Sequence, residues 1–234
     1  MRKFFSYITL LLIVLPFMSC QEKKAEANVP KWILSMVSES KNTSVETDFS
    51  NILSDKRVPY IGYIGTDYQK LSVDIQKVQR KDDNQYDVSG ITVVKNNRCN
   101  FRGTIDIVEN REFTHPTYGV DDSMKGQFKR RGCSIAKYNF EEEKSQTGSG
   151  VFTGYLLFYW YETNDGKFVY DDIDSHSDSY CNIQYAGTWT SNKTKKSKPC
   201  AWGQYRVPNS GDLDIGAGDF SVNPKYAKNG WEKK

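Results

Sequence analysis

Two segments of this chain carry carboxylates at spacings that could gather a cation. Asp171-Asp172-Ile173-Asp174-Ser175-His176-Ser177-Asp178 sets acidic groups at alternating positions. Asp212-Leu213-Asp214-Ile215-Gly216-Ala217-Gly218-Asp219 repeats the alternation among glycines that permit tight curvature. Alternate residues of a curled loop point toward one centre, which is how calcium loops collect oxygen ligands. Asp172, Asp174, Asp178, Asp212, Asp214 and Asp219 are therefore candidate metal ligands, with calcium as the one cofactor suggested. Neither segment follows the spacing of an EF-hand loop, and a solvated loop beside a Gly-rich turn is the competing reading. If the segments meet in space, one ion site is expected rather than two. The same convergence would suit a carboxylate- or metal-dependent hydrolase, since paired carboxylates alone can run hydrolysis.

Other reactive residue types are sparse. There are two histidines, and His115 sits in a turn-like stretch, Thr114-His115-Pro116-Thr117-Tyr118-Gly119, where an exposed loop position is expected. The chain contains no nucleophile elbow, zinc-protease helix motif or phosphate-binding P-loop. Cys99, Cys133, Cys181 and Cys200 form an even set, which in an exported chain points to disulfides. Four cysteines allow three pairings; Cys99–Cys133 with Cys181–Cys200 is expected, because each bond would tie neighbouring strands. C-x-x-C and His-rich zinc spacings are absent. With no nucleophile and no defined acid–base pair, a non-enzymatic role is the expectation.

A binding role has better material. Tyrosine at 15, phenylalanine at 12 and tryptophan at 5 are abundant, and aromatics favour pleated, half-buried surfaces. Trp189, Trp202 and Tyr205, with Arg206 beside them, are the candidates to line a barrel mouth or stack against a carbohydrate. Simple core packing is the alternative. Lys193, Lys195, Lys196 and Lys198 read as solvated charge or as contacts to an anionic ligand. Basic and acidic residues balance at 32 to 29, leaving no concentrated basic excess of the kind nucleic-acid partners require.

The elements that must hold these residues are mostly strands. Leu71, Val73 and Ile75 alternate with polar neighbours, as do Phe101, Ile105 and Ile107, and Tyr86 to Val93 continues the rhythm with a bend at Gly90. Further strands are expected at Lys125–Phe128, Ser134–Phe140, Asn182–Thr190 and Ala201–Val207. The run from Val151 to Tyr161 is nearly all apolar, so both its faces should be covered. Asn164-Asp165-Gly166 is a hairpin turn delivering Lys167 to Tyr170 back onto that run. Pro30 can open a short helix with Trp32, Ile33, Met36 and Val37 on one side, and a second short helix is expected at Phe49–Leu53. An aromatic stands two residues before glycine at Phe101/Gly103, Phe152/Gly154 and Tyr185/Gly187, a spacing that could mark where strands coil. The fold expected is mainly β: an antiparallel meander closed as a β-barrel or β-sandwich, with a short N-terminal helix.

The N-terminus supplies an address. Arg2 and Lys3 precede a mostly apolar stretch from Phe4 to Phe17, interrupted by Pro16 and too short for a membrane span. Ser19 and Cys20 close it, and Gln21-Glu22-Lys23-Lys24 turns abruptly polar. This layout resembles the signal of bacterial lipoproteins, in which the peptide is cut before the cysteine and the thiol is acylated. The resemblance implies residues 1–19 as signal peptide, residues 20–29 as a lipidated tether on Cys20, and residues 30–234 as a single β-rich domain. Two or more acyl chains, palmitate among them, anchor stably where one does not. The charged stretch after Cys20 also resembles surface lipoproteins of Bacteroidetes. The segment from Cys181 to Trp231 is similar to uncharacterised lipoproteins of that group through Gly187-Thr188-Trp189, Cys200-Ala201-Trp202-Gly203 and Gly211-Asp212-Leu213-Asp214-Ile215-Gly216. That likeness implies an outer-membrane location, at the periplasmic face or cell surface, and no activity. The expected partners are the membrane through the lipid and an envelope protein or carbohydrate. A binding module is the leading reading; a hydrolase inhibitor or toxin-immunity lipoprotein, and a hydrolase, are the alternatives.

Overall fold

The computed structural model describes residues 29–232, so the signal segment, Cys20 and nearly all of the tether lie outside the described residues. The elements run α1 (Lys31–Met36), β1 (Ser40–Asn42), α2 (Ser50–Leu53), β2 (Ile61–Ile64), β3 (Gln69–Arg80), β4 (Gln85–Val94) and β5 (Asn97–Phe113). They continue as β6 (Phe128–Glu142), β7 (Gly150–Thr163), β8 (Phe168–Tyr170), β9 (Asn182–Ser191) and β10 (Ser197–Gln204). The strands form one ten-stranded antiparallel sheet. Each long strand pairs with its neighbour in sequence, β10 returns to β2, and β5 joins β6, so eight strands close into a ring. β1 and β8 extend it on β5 and β7. Closure leaves no long exposed edge. The ring is not a regular barrel: register shifts interrupt β3 between Ile75 and Lys77, β5 between Ile107 and Glu109, and β10 between Trp202 and Gln204.

The interior is packed with rings. Phe101, Phe140, Phe152, Phe158, Tyr138, Tyr185, Trp160 and Trp202 belong to one buried cluster, with Trp202 stacked on Tyr185 at 4.8 Å. α2 closes one end. Its Ile52 and Leu53, with the preceding Phe49, enter the same cluster, and Phe49 meets Phe158 edge-on at 5.1 Å. The Phe49 backbone N–H donates to the Tyr86 hydroxyl at 3.0 Å, fastening the plug to the start of β4. On the outside, α1 lays Ile33 and Val37 over Cys133, Ile135 and Leu157. That is why β7 reads as apolar throughout: Leu156 and Phe158 face the interior while Leu157 lies under α1.

The aromatic-x-glycine spacing has a structural reason. Gly154 and Gly187 stand opposite one another on β7 and β9, and a Cβ on Gly154 would fall 2.7 Å from the Gly187 Cα. Only glycine allows that approach beneath Phe152 and Tyr185. The expected strand Lys125–Phe128 is corrected: Lys125 to Gln127 form a turn and only Phe128 enters β6, which runs on through the expected Ser134–Phe140, and the short β1 and β2 had no signal in the alternation.

The expected disulfides are corrected. Cys99, Cys133, Cys181 and Cys200 are all free thiols. Cys133 is in register with Arg111 on β5, twelve residues along that strand from Cys99. At about 3.3 Å per residue the two lie about 40 Å apart. Cys200 is opposite Gly187 on β9, six residues or about 20 Å from Cys181. A disulfide needs Cα atoms within about 7 Å.

Candidate functional site at the open end of the ring

The acidic segments do meet, but arginines take the place of the ion. The Ser179 backbone N–H donates to Gly218 at 3.0 Å, joining the two loops. Within the second loop the expected convergence is real: Asp214 Oδ2, Gly216 O and Gly218 O surround the Arg206 guanidinium at 3.0, 3.1 and 2.5 Å. In the first loop, Arg131 binds both Asp171 and Asp174, with Asp174 Oδ2 at 2.7 Å, and Arg57 reaches Asp172 at 2.6 Å. Asp212 pairs with Lys225, while Asp178 and Asp219 are exposed. Among the described residues no group of three or more metal-ligating side chains comes together, which corrects the calcium reading. Burial pushes the Asp171 carboxyl upward despite the attached Arg131. His115 and His176 are exposed, and the His115 Nδ1 touches only the neighbouring Thr114 hydroxyl at 3.1 Å.

The proposed aromatic face does not assemble either. Trp202 is enclosed in the core, and Tyr205 packs edge-on against Tyr180 at 4.8 Å near the Arg206 loop. Trp189 alone reaches a cavity.

That cavity lies at the end of the ring opposite the α2 plug. The β2–β3, β4–β5, β6–β7 and β9–β10 hairpins surround an opening of about 430 Å³. Ile64, Phe152 and Trp189 supply apolar wall, while Asp67, Lys95 and Lys198 stand with them around the lining. The central polar group is Glu142, at the end of β6 and only 5% exposed. Its carboxylate accepts hydrogen bonds from the Thr92 hydroxyl, from the Gly150 backbone N–H at 2.7 Å and from Trp189 Nε1 at 3.0 Å. It makes no ion pair among the described residues. Three neutral donors fix its orientation and leave roughly one of its four acceptor positions for a ligand. The bond to Trp189 also locks the indole that walls the cavity. A larger depression of about 890 Å³ runs outside, lined by Asn42, Glu46, Arg80, Asp83 and Asn110, but it has no aromatic wall.

No protein-family model, curated protein or solved structure matches this chain. The functional argument therefore rests on the chemistry of the mouth. Glu142, Thr92 and Phe152 were missed in the sequence because they lie far apart in the chain and meet only when the ring closes. Glu142 is moreover the middle of Glu141-Glu142-Glu143, where solvated charge is the natural reading; the strand alternation that turns Phe140 inward also turns Glu142 inward.

Proposed function

We propose that this chain is a non-enzymatic, lipid-anchored binding module of the bacterial cell envelope, holding a small saccharide-like ligand at the open mouth of its ring. The observation that supports a binding role is a single unplugged end where an aromatic wall and a fixed carboxylate share one cavity. Sugars present apolar C–H faces and hydroxyl edges together, matching a Trp189–Phe152 wall beside Glu142, Asn97 and Thr147. An enzymatic role has less support, because the acidic loops expected to supply paired carboxylates are engaged by Arg57, Arg131 and Arg206. The anchor rests on the sequence from Arg2 to Lys24 and on the acyl chains that Cys20 would carry.

Two measurements test the two halves. Cys20→Ala should move the protein from the membrane fraction to the soluble fraction; unchanged fractionation removes the anchor. Titrating the full chain with neutral sugars (glucose, galactose and N-acetylglucosamine), while following the Trp189 indole N–H by NMR, should shift that signal for at least one sugar. Trp189→Ala should weaken the binding by about tenfold, the loss of a stacked ring. An indole signal indifferent to all of them removes the saccharide reading.

A further inference from the structure

A second depression of about 540 Å³ adjoins the mouth and shares Thr147 and Gly148 with it. Lys144, Lys193 and Lys195 line it, with Gln146, Ser149 and Asn192. The three lysines come from two hairpins, Lys144 from the β6–β7 turn and Lys193 and Lys195 from the β9–β10 turn, and the backbone brings the turns together. The Asn192 N–H donates to the Ser149 carbonyl at 3.0 Å and its side-chain amide to the Ser149 hydroxyl at 3.1 Å, tying the β9–β10 turn to the β6–β7 turn. The Lys195 N–H closes that turn on Ser191 at 3.0 Å, with Lys195 itself in the left-handed region at φ 58°.

Among the described residues some surface lysines are paired with a carboxylate, while others, Lys77, Lys81 and Lys137 among them, are not; what sets these three apart is that they line one depression. Lys41, Lys56, Lys125, Lys129, Lys167 and Lys225 each contact a carboxylate. Among the described residues, Lys144, Lys193 and Lys195 do not. The turn's own acids, Glu141 and Glu143, line a neighbouring depression with Arg102; Lys144 borders that depression as well but forms no ion pair with either acid. Like charges held together without a counter-ion repel one another, and an anion relieves that repulsion.

We infer that the ligand of the mouth is an anionic saccharide, its ring against Trp189 and its carboxylate or phosphate over Lys144, Lys193 and Lys195. This rests on the saccharide reading of the mouth and adds the charge. The strip formed by Thr147 and Gly148 is the shared wall that lets one ligand reach both places. Exposed charge pairs are individually weak, so three of them should favour an anionic sugar over its neutral counterpart by about tenfold at low salt.

The test titrates the full chain with glucose, glucuronate, glucose 6-phosphate and inorganic phosphate, again reading the Trp189 indole. At low salt one or both anionic sugars should bind about tenfold more tightly than glucose, and about 0.5 M NaCl should close most of the gap. Glucuronate and glucose 6-phosphate separate a carboxylate from a phosphate preference. The variant K144Q/K193Q/K195Q changes only exposed side chains and should bring the anionic sugars down to the level of glucose. Glucose binding with no preference for either anion overturns this inference and leaves the mouth reading intact, as does a preference that survives in the triple variant. Phosphate binding with no Trp189 response to any sugar overturns both.

Discussion

Trp160 and Trp202 are both enclosed by the ring, yet only one has a partner for its indole N–H. Trp160 Nε1 donates to the Ser134 hydroxyl at 2.9 Å, and Ser134 in turn donates to Asn110 Oδ1 at 2.6 Å. Trp202 Nε1 is buried without a partner. Phenylalanine at either position removes similar volume, but Trp160→Phe also breaks a buried hydrogen bond while Trp202→Phe removes an unsatisfied donor. Trp160→Phe should therefore be the more destabilising by about 1–2 kcal/mol in urea denaturation, and equal costs would contradict the asymmetry. Arg206 gives a second prediction. Its guanidinium fills the cage of Asp214, Gly216 and Gly218, so a chelator such as EDTA should leave the melting temperature unchanged. Arg206→Met should lower stability by about 3 kcal/mol, because the nearly enclosed Asp214 carboxylate, 3% exposed, loses its charge partner.

Among the elements, the plug and the ring ask for different tests. α2 has only four residues, too few to be stable alone, and it is held by what Phe49, Ile52 and Leu53 bury. Leu53→Ala should cost about 2–5 kcal/mol by the cavity it leaves, measured by thermal or urea unfolding. Both short helices were legible as apolar residues on one side, and the long strands as alternation: Leu71, Val73 and Ile75 all turn into the core, as their spacing requires. The first part of β6 was missed because Lys129, Arg130 and Arg131 look like loop. They belong to a strand because Arg131 is neutralised by Asp171, a partner 40 residues away. β2 was missed because Gly62 weakens a strand signal, although glycine is needed there because a side chain's Cβ would fall 2.7 Å from the Trp202 Cβ. The disulfide expectation failed on register, which periodicity does not report. Of the mouth, only Trp189 and Lys198 were visible in advance, since Glu142, Thr92 and Phe152 become neighbours through ring closure alone.

At the scale of the whole molecule, the four unpaired thiols need an account in a chain whose N-terminus looks exported. Burial supplies it. Cys133, Cys181 and Cys200 are pushed up to about 12 from an ordinary value of 9.0, chiefly by loss of solvent, and Cys99 is raised by the same cause. The thiolate is the reactive form, so these groups resist oxidation without being paired, Cys181 least of them because it is only half-buried. The same shift makes stability depend on alkaline pH. Below about pH 9 the thiols are protonated in both folded and unfolded chains, and their protonation contributes no pH dependence. Above it the unfolded chain releases protons that the folded chain retains, so stability falls by up to about 1.4 kcal/mol per pH unit for each thiol, until the folded groups also ionise. Tyr60, Tyr138 and Tyr159, buried and raised well above 10.0, extend the decline to higher pH. Urea midpoints measured from pH 7 to pH 11 should therefore be flat to about pH 9 and then drop steeply. Replacing Cys133, Cys181 and Cys200 by alanine should flatten the first part of the drop and leave the tyrosine part. A midpoint that holds steady through pH 11 in the unsubstituted protein would mean these thiols are not shielded from solvent as the fold requires.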